Sequence, residues 1–107
     1  MGLFGLFTGN RIDEGIKEYG RTEGAVLLDV RTSAEYAQGH IENSVNIPLD
    51  EIEGAIKKIP DTGTPIFVYC HSGARSGRAV SWLKQQGYRN VKNIGGIIDY
   101  HGKAVLQ

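Results

Sequence analysis

Residues 65–87 read PIFVYCHSGARSGRAVSWLKQQG, and the two halves of this stretch follow different periodicities. Residues 65–70 form a continuous apolar run, the pattern of a strand buried on both faces. Residues 75–86 place Ala79, Val80 and Leu83 at helical spacing, with Gly87 as a stop. His71, Ser72, Gly73 and Ala74 lie between them as a tight loop. A strand therefore delivers Cys70 to the first turn of a helix.

That placement predicts an activated sulfur. A helix N-terminus presents unpaired N–H groups and a partial positive charge. A compact loop curled around the sulfur aims further amides at it, an anion nest. Arg75 adds a permanent positive charge. All three favour thiolate over thiol, so the Cys70 thiol is expected below a free cysteine and ready as a nucleophile. Gly73 suits a loop this short, because glycine accepts positive φ and close backbone approach. Ser72 and Ser76 are candidate donors to a bound anion or helix caps.

Outward from this stretch, apolar runs alternate with amphipathic ones. Residues 25–30 (AVLLDV) and 44–47 (SVNI) read as strands, as do residues 91–94 before Gly95-Gly96. Helices are predicted over residues 10–19, stopped by Gly20, and from Thr32 or Ser33 as cap through Ala37, stopped by Gly39. Another is predicted over residues 50–59, with Ile52, Ala55, Ile56 and Ile59 on one face, and a short helical or irregular tail ends the chain. Strand–helix alternation predicts an open α/β domain with a parallel sheet covered on both faces. Ligands in such folds bind outside the carboxyl ends of the strands. That rule points to Asp29, Val30 and Arg31, to Cys70, and to Gly95-Gly96.

Composition narrows the rest. The 107 residues suit one domain, assigned to residues 1–107 with residues 1–9 as a candidate tail. Lys plus Arg equals Asp plus Glu, so no broad nucleic-acid-binding or acidic-membrane-binding surface is expected. The single cysteine excludes an intramolecular disulfide and a multi-cysteine zinc site. It also means that any covalent adduct on Cys70 must be released by an outside nucleophile. A lone thiol favours a reducing compartment, and a cytoplasmic location is expected. The start, MGLFGLFTGN, lacks the charged lead of a signal peptide, and Leu6 stands where myristoylation needs Ser or Thr. Leu3, Phe4, Leu6 and Phe7 are expected to pack on the domain. No apolar stretch reaches membrane-spanning length. His40, His71, His101 and Cys70 have no metal-ligand spacing, and no metal is expected.

CHSGARS (residues 70–76) resembles the active-site loop of rhodanese domains, and the likeness extends along the chain. LLDVRTSAEYAQGHIENSVNIPL (residues 27–49) is similar to the family's Asp-Val-Arg, Glu-Tyr, Gly-His-Ile and Asn-Ile-Pro series, and IGGI (residues 94–97) to its late Gly-Gly step. Glu42-Asn43 replaces the usual Pro-Gly, though Asn also tolerates a left-handed turn. Tyr100 stands where many members carry Trp. The resemblance implies a rhodanese-like open parallel sheet of about four to five strands. It also implies a sulfurtransferase with Cys70 as nucleophile and residues 71–76 as the persulfide-binding loop. Thiosulfate or a persulfide would be the donor, and a thiol or cyanide the acceptor. A sulfur-accepting protein is a candidate partner. No cofactor is implied beyond the covalent persulfide itself.

Asp29, Arg31 and His40 are expected to support the site. Asp29 is expected to orient the loop by pairing with Arg75, or else to form a surface ion pair or a helix cap. His40 is expected to close a turn, and His71 to bear on donor preference. Two other readings are kept. A cysteine-dependent phosphatase or arsenate reductase places five residues between Cys and Arg, whereas four separate Cys70 from Arg75. A non-enzymatic binding module would not need Cys70 with its Gly and Arg, whereas a sulfur carrier acting only on a partner protein would, and the sequence does not separate that carrier from a free-standing enzyme.

Overall fold

A computed structural model describes residues 11–106. The elements follow in the order α1 (Arg11–Arg21), β1 (Val26–Asp29), α2 (Ser33–Ala37), β2 (Val45–Asn46), α3 (Gly54–Lys58), β3 (Ile66–Cys70), α4 (Ala74–Gln85) and β4 (Val91–Gly96). Short 3-10 turns at Leu49–Glu51 and Ile97–Asp99 precede α3 and follow β4. The four strands are all parallel, in the order β2-β1-β3-β4. β3 lies at the centre and is buried along its whole length.

Alternation along the strands sorts side chains into two cores. Leu28, Ile66, Val68 and Cys70 face α3 and α4, where they meet Ala55, Ala79 and Leu83. Leu27, Phe67 and Tyr69 face the other way and pack with Ile12 of α1 and Ile94. An apolar run such as IFVYC thus has no polar face to show, which is why it carries no alternation. Trp82 packs partly buried against the first core, and Tyr88 lies within it. Tyr100 packs at the edge of the second.

Several expectations are corrected. The helix expected over residues 50–59 is broken: a 3-10 turn at Leu49–Glu51 hands over to a short α3. Ile52, Ala55 and Ile59 are buried as expected, but Ile56 is 48% exposed. Residues 52 and 53 keep right-handed helical backbone angles, but the tighter 3-10 winding before them means that one α-helical face no longer describes both segments. Gly20 does not stop α1, which runs on to Arg21. Residue 10 and the packing expected of Leu3, Phe4, Leu6 and Phe7 lie outside the described residues. Thr32 caps α2 with a capping box to Glu35. Asn43 adopts φ 74°, the left-handed turn its side chain tolerates. Among the described residues no helix is long and apolar enough to cross a membrane.

Candidate active site

β3 ends on Cys70 and α4 begins at Ala74, so the loop turns within three residues. Gly73 makes that turn at φ 105°, a region that side chains rarely occupy. Its Cα side also abuts Gly95, where an added Cβ would lie 3.4 Å from the Gly95 Cα. The result is a ring of donors on one sulfur. The Gly73 amide donates to Cys70 Sγ at 3.0 Å and the Ser76 amide at 3.3 Å, with Ser76 Oγ at 3.4 Å. Cys70 is 1% exposed, so only the terminal atom of a substrate can meet its sulfur. Burial pushes the Cys70 thiol up. The Ser76 hydroxyl, as a donor to the charged sulfur, and the amides of Ser76, Gly73 and Ser72 outweigh it and hold the thiol below its ordinary value.

β4 supports this ring from the side. A bulge displaces its register, so that Val68 faces Asn93 but Tyr69 faces Gly95 and Cys70 faces Gly96. Asn93 is thereby turned to the loop: it donates from Nδ2 to the Gly73 carbonyl at 3.1 Å and accepts the Ser76 hydroxyl at 2.7 Å. Gly96 runs directly under the loop, and a Cβ there would overlap the His71 carbonyl oxygen and Ser72 Cα. The Ile98 amide donates to the same His71 carbonyl at 3.1 Å. The side chains of His71, Ser72 and Ala74 face outward and line the rim.

Arg75 does not pair with Asp29. Its guanidinium is held bidentately by Glu35, Nη1 to Oε1 at 2.7 Å and Nη2 to Oε2 at 3.0 Å. The Arg75 fork draws the Glu35 carboxyl down to about 2, against some burial and with help from the Thr32 amide and hydroxyl. Asp29 instead pairs with Arg31, its close neighbour along the chain. Arg31 Nη2 reaches Asp29 Oδ2 at 2.7 Å, and Arg31 Nε lies 3.0–3.1 Å from both carboxylate oxygens. Asp29 is 0% and Arg31 6% exposed, so the pair is neither a surface bridge nor a loop anchor. Arg31 also donates to the Gly39 carbonyl at 2.8 Å and lies over the Tyr69 ring. His40 stacks flat on Tyr36 at 3.6 Å, and its Nδ1 donates to the Tyr36 carbonyl at 2.8 Å. Its backbone forms an antiparallel bridge with Val105, a long-range tie and not a local turn.

Sequence reasoning passed over Glu35 and Asn93. Glu35 carried a signal, the Thr-x-x-Glu spacing from Thr32 that marks a capping box. Asn93 carried only its polarity within a strand. A cleft of about 400 Å³ adjoins the loop, lined by Val30, Pro48, Leu49, Asp50, Arg75 and Arg78 among others. A larger one, about 540 Å³, opens at the far edge among the strand beginnings Ile66 and Val91, away from Cys70. The donor ring, not cavity size, marks the candidate site.

Fold and site define an α/β protein whose single cysteine sits in an amide-lined loop at the carboxyl end of a central parallel strand. The chain belongs to the rhodanese-like domain family, which matches residues 13–103. It is 40% identical over 73 residues to thiosulfate sulfurtransferase PspE of Escherichia coli, covering 67% of this chain and 70% of that one. A sulfurtransferase of Allochromatium vinosum is 42% identical over 88 residues, covering 79% and 81%. A solved E. coli rhodanese structure with anions has a TM-score of 0.72 at 36% identity, over 78% of this chain and 99% of that one.

Proposed function

We propose that this protein is a sulfurtransferase that carries a sulfane sulfur on Cys70. The observation that supports it most directly is the convergence of the Gly73 and Ser76 amides on one sulfur at 3.0 and 3.3 Å. The Cys70 thiolate attacks the outer sulfur of thiosulfate or of a persulfide. The donor's S–S bond breaks, and sulfite or a thiolate leaves with the bonding pair. Cys70 then holds a persulfide whose terminal sulfur is anionic, and the loop amides stabilise that charge as they would an oxyanion. Cyanide or a thiol attacks this terminal sulfur, and the Cys70 thiolate leaves to restore the enzyme. A chain with one cysteine cannot resolve the adduct internally, which fits release to an outside acceptor. The persulfide itself is the carrier, so the cycle needs no bound cofactor.

The loop fits a sulfur atom better than a phosphate. A tetrahedral oxyanion needs a wider ring, and the Arg75 fork that would clamp it is occupied by Glu35. The test is to incubate the protein with thiosulfate, record its intact mass, then add cyanide and assay thiocyanate, with Cys70→Ala in parallel. The expected result is a gain of one sulfur that cyanide removes and that Cys70→Ala never acquires. No gain from thiosulfate or from a persulfide donor would overturn the reading. Turnover of an aryl phosphate would replace it with the phosphatase.

A further inference from the structure

The Ser76 hydroxyl has two partners and one proton. It lies 2.7 Å from Asn93 Oδ1 and 3.4 Å from Cys70 Sγ. The orientation of the Asn93 amide is settled by its other neighbours. The Gly95 amide can only donate, and it points at Oδ1 from 3.0 Å. The Gly73 carbonyl can only accept, and it faces Nδ2 at 3.1 Å. Oδ1 is therefore an acceptor, and the hydroxyl 2.7 Å away must donate to it. With its proton on Asn93, Ser76 Oγ turns a lone pair to the sulfur and serves as an acceptor for the Cys70 S–H. It can donate to a thiolate or a persulfide only by leaving Asn93.

We propose that Asn93 is a positioning residue that holds the Ser76 hydroxyl away from the sulfur, so that this hydroxyl becomes a donor to Cys70 only when the sulfur carries charge. This rests on Cys70 being the reacting group, but not on which sulfur compound it meets. While the sulfur is neutral and the hydroxyl is held, the amides of Gly73 and Ser76 are the donors aimed at it. The hydroxyl is a reserve donor released by the charge itself. Asn93 thus sets a threshold: it opposes ionisation of the resting thiol while still permitting a further bond to the charged sulfur. Around the loop Arg75 is paired with Glu35 and Arg31 with Asp29, Arg11 donates to the Asn93 backbone carbonyl at 3.4 Å, and the titratable His71 lies exposed beside Cys70.

The direction of the effect separates this from a merely structural role. Asn93→Leu keeps the branch point and the four heavy atoms of the side chain, with methyl groups bulkier than the amide, and removes both the amide donor and the amide acceptor. The Gly73 carbonyl still accepts from the Gly77 amide at 3.1 Å, so the loop keeps a tie to α4. The freed hydroxyl then donates to the thiolate without giving up a neutral hydrogen bond. The thiolate-to-thiol ratio at a given pH should rise by about fivefold, the worth of one such bond. The measurement is the pH profile of iodoacetamide alkylation of Cys70, which needs no sulfur donor and is independent of whether sulfur transfer occurs. Asn93→Leu and Asn93→Ala should both shift the profile to lower pH, and Ser76→Ala should shift it to higher pH. In the Ser76→Ala background the change at Asn93 should have no acid shift left to produce, which also cancels the loss of the Gly95 partner. An unchanged or alkaline shift in the folded single variants overturns the proposal, as does an acid shift that persists without Ser76. Should Asn93→Ala not fold, Asn93→Leu decides.

Discussion

β1 and β3 run side by side in parallel register, Asp29 opposite Tyr69, and their carboxyl ends emerge next to each other. The fold treats the two ends in opposite ways. At the end of β1 the charges are consumed: Asp29 and Arg31 neutralise each other in a buried pair, and Asn46 ties the carbonyls of both to β2 at 3.0 Å. At the end of β3 the donors exceed the acceptors, and the surplus N–H groups converge on one sulfur. A position outside the strand ends is thus only an opportunity for chemistry. What makes a site is a polar group left with more donors than it needs in its resting state.

The largest expected effect of breaking this comparison is on the β1 side. Asp29→Ala leaves the Arg31 guanidinium buried without its anion, which should cost about 3–5 kcal/mol. Urea unfolding should show the loss, while thiocyanate formation per folded molecule stays within a few-fold of the parent. A much greater fall in activity than in stability would mean that the pair reaches the loop after all. On the β3 side the order should reverse. Gly96→Ala drives a Cβ into the backbone of His71 and Ser72, and neither can yield as a flexible side chain would. The loop must shift, and a displacement of this kind is expected to lower kcat/KM by roughly 100-fold, with a stability loss of about 1–3 kcal/mol. Full activity in a folded Gly96→Ala protein would show that loop position is less critical than the donor geometry implies.

The smallest effect belongs to the link between the two regions, the Glu35–Arg75 pair that ties α2 to the loop. Both side chains are about one-third exposed, so solvent screening leaves roughly 1 kcal/mol or less. Its sign is definite. The Glu35 carboxyl stands at about 2 in the folded protein against an ordinary 4.5, so the unfolded chain takes up its proton first as pH falls. The contribution is present in full above about pH 4.5 and is lost between there and about pH 2. Stability measured against pH should show a shallower acid decline in Glu35→Gln than in the parent. Equal slopes would mean that the pair contributes nothing measurable.

Much of this was legible in the sequence, because the relevant signals are local. The loop at residues 70–76 could be read because strand, glycine turn and helix start are each set within a few residues of Cys70. The cap at Thr32 and the turn at Asn43 were readable for the same reason. The sequence by itself determined the alternation of strands and helices, and with it the parallel sheet that carries Cys70 to a helix N-terminus. Pairing across the chain was not readable. Arg75 had Asp29 and Glu35 as rival carboxylates, and only packing decided that Asp29 would be closed off beside Arg31 while α2 turned Glu35 to the loop. Likewise Asn93 reaches Ser76 through a bulge that displaces β4 by one residue against β3. Local preferences specify an element from its neighbours in sequence. Which polar groups meet depends on register and burial, and those are properties of the assembled sheet.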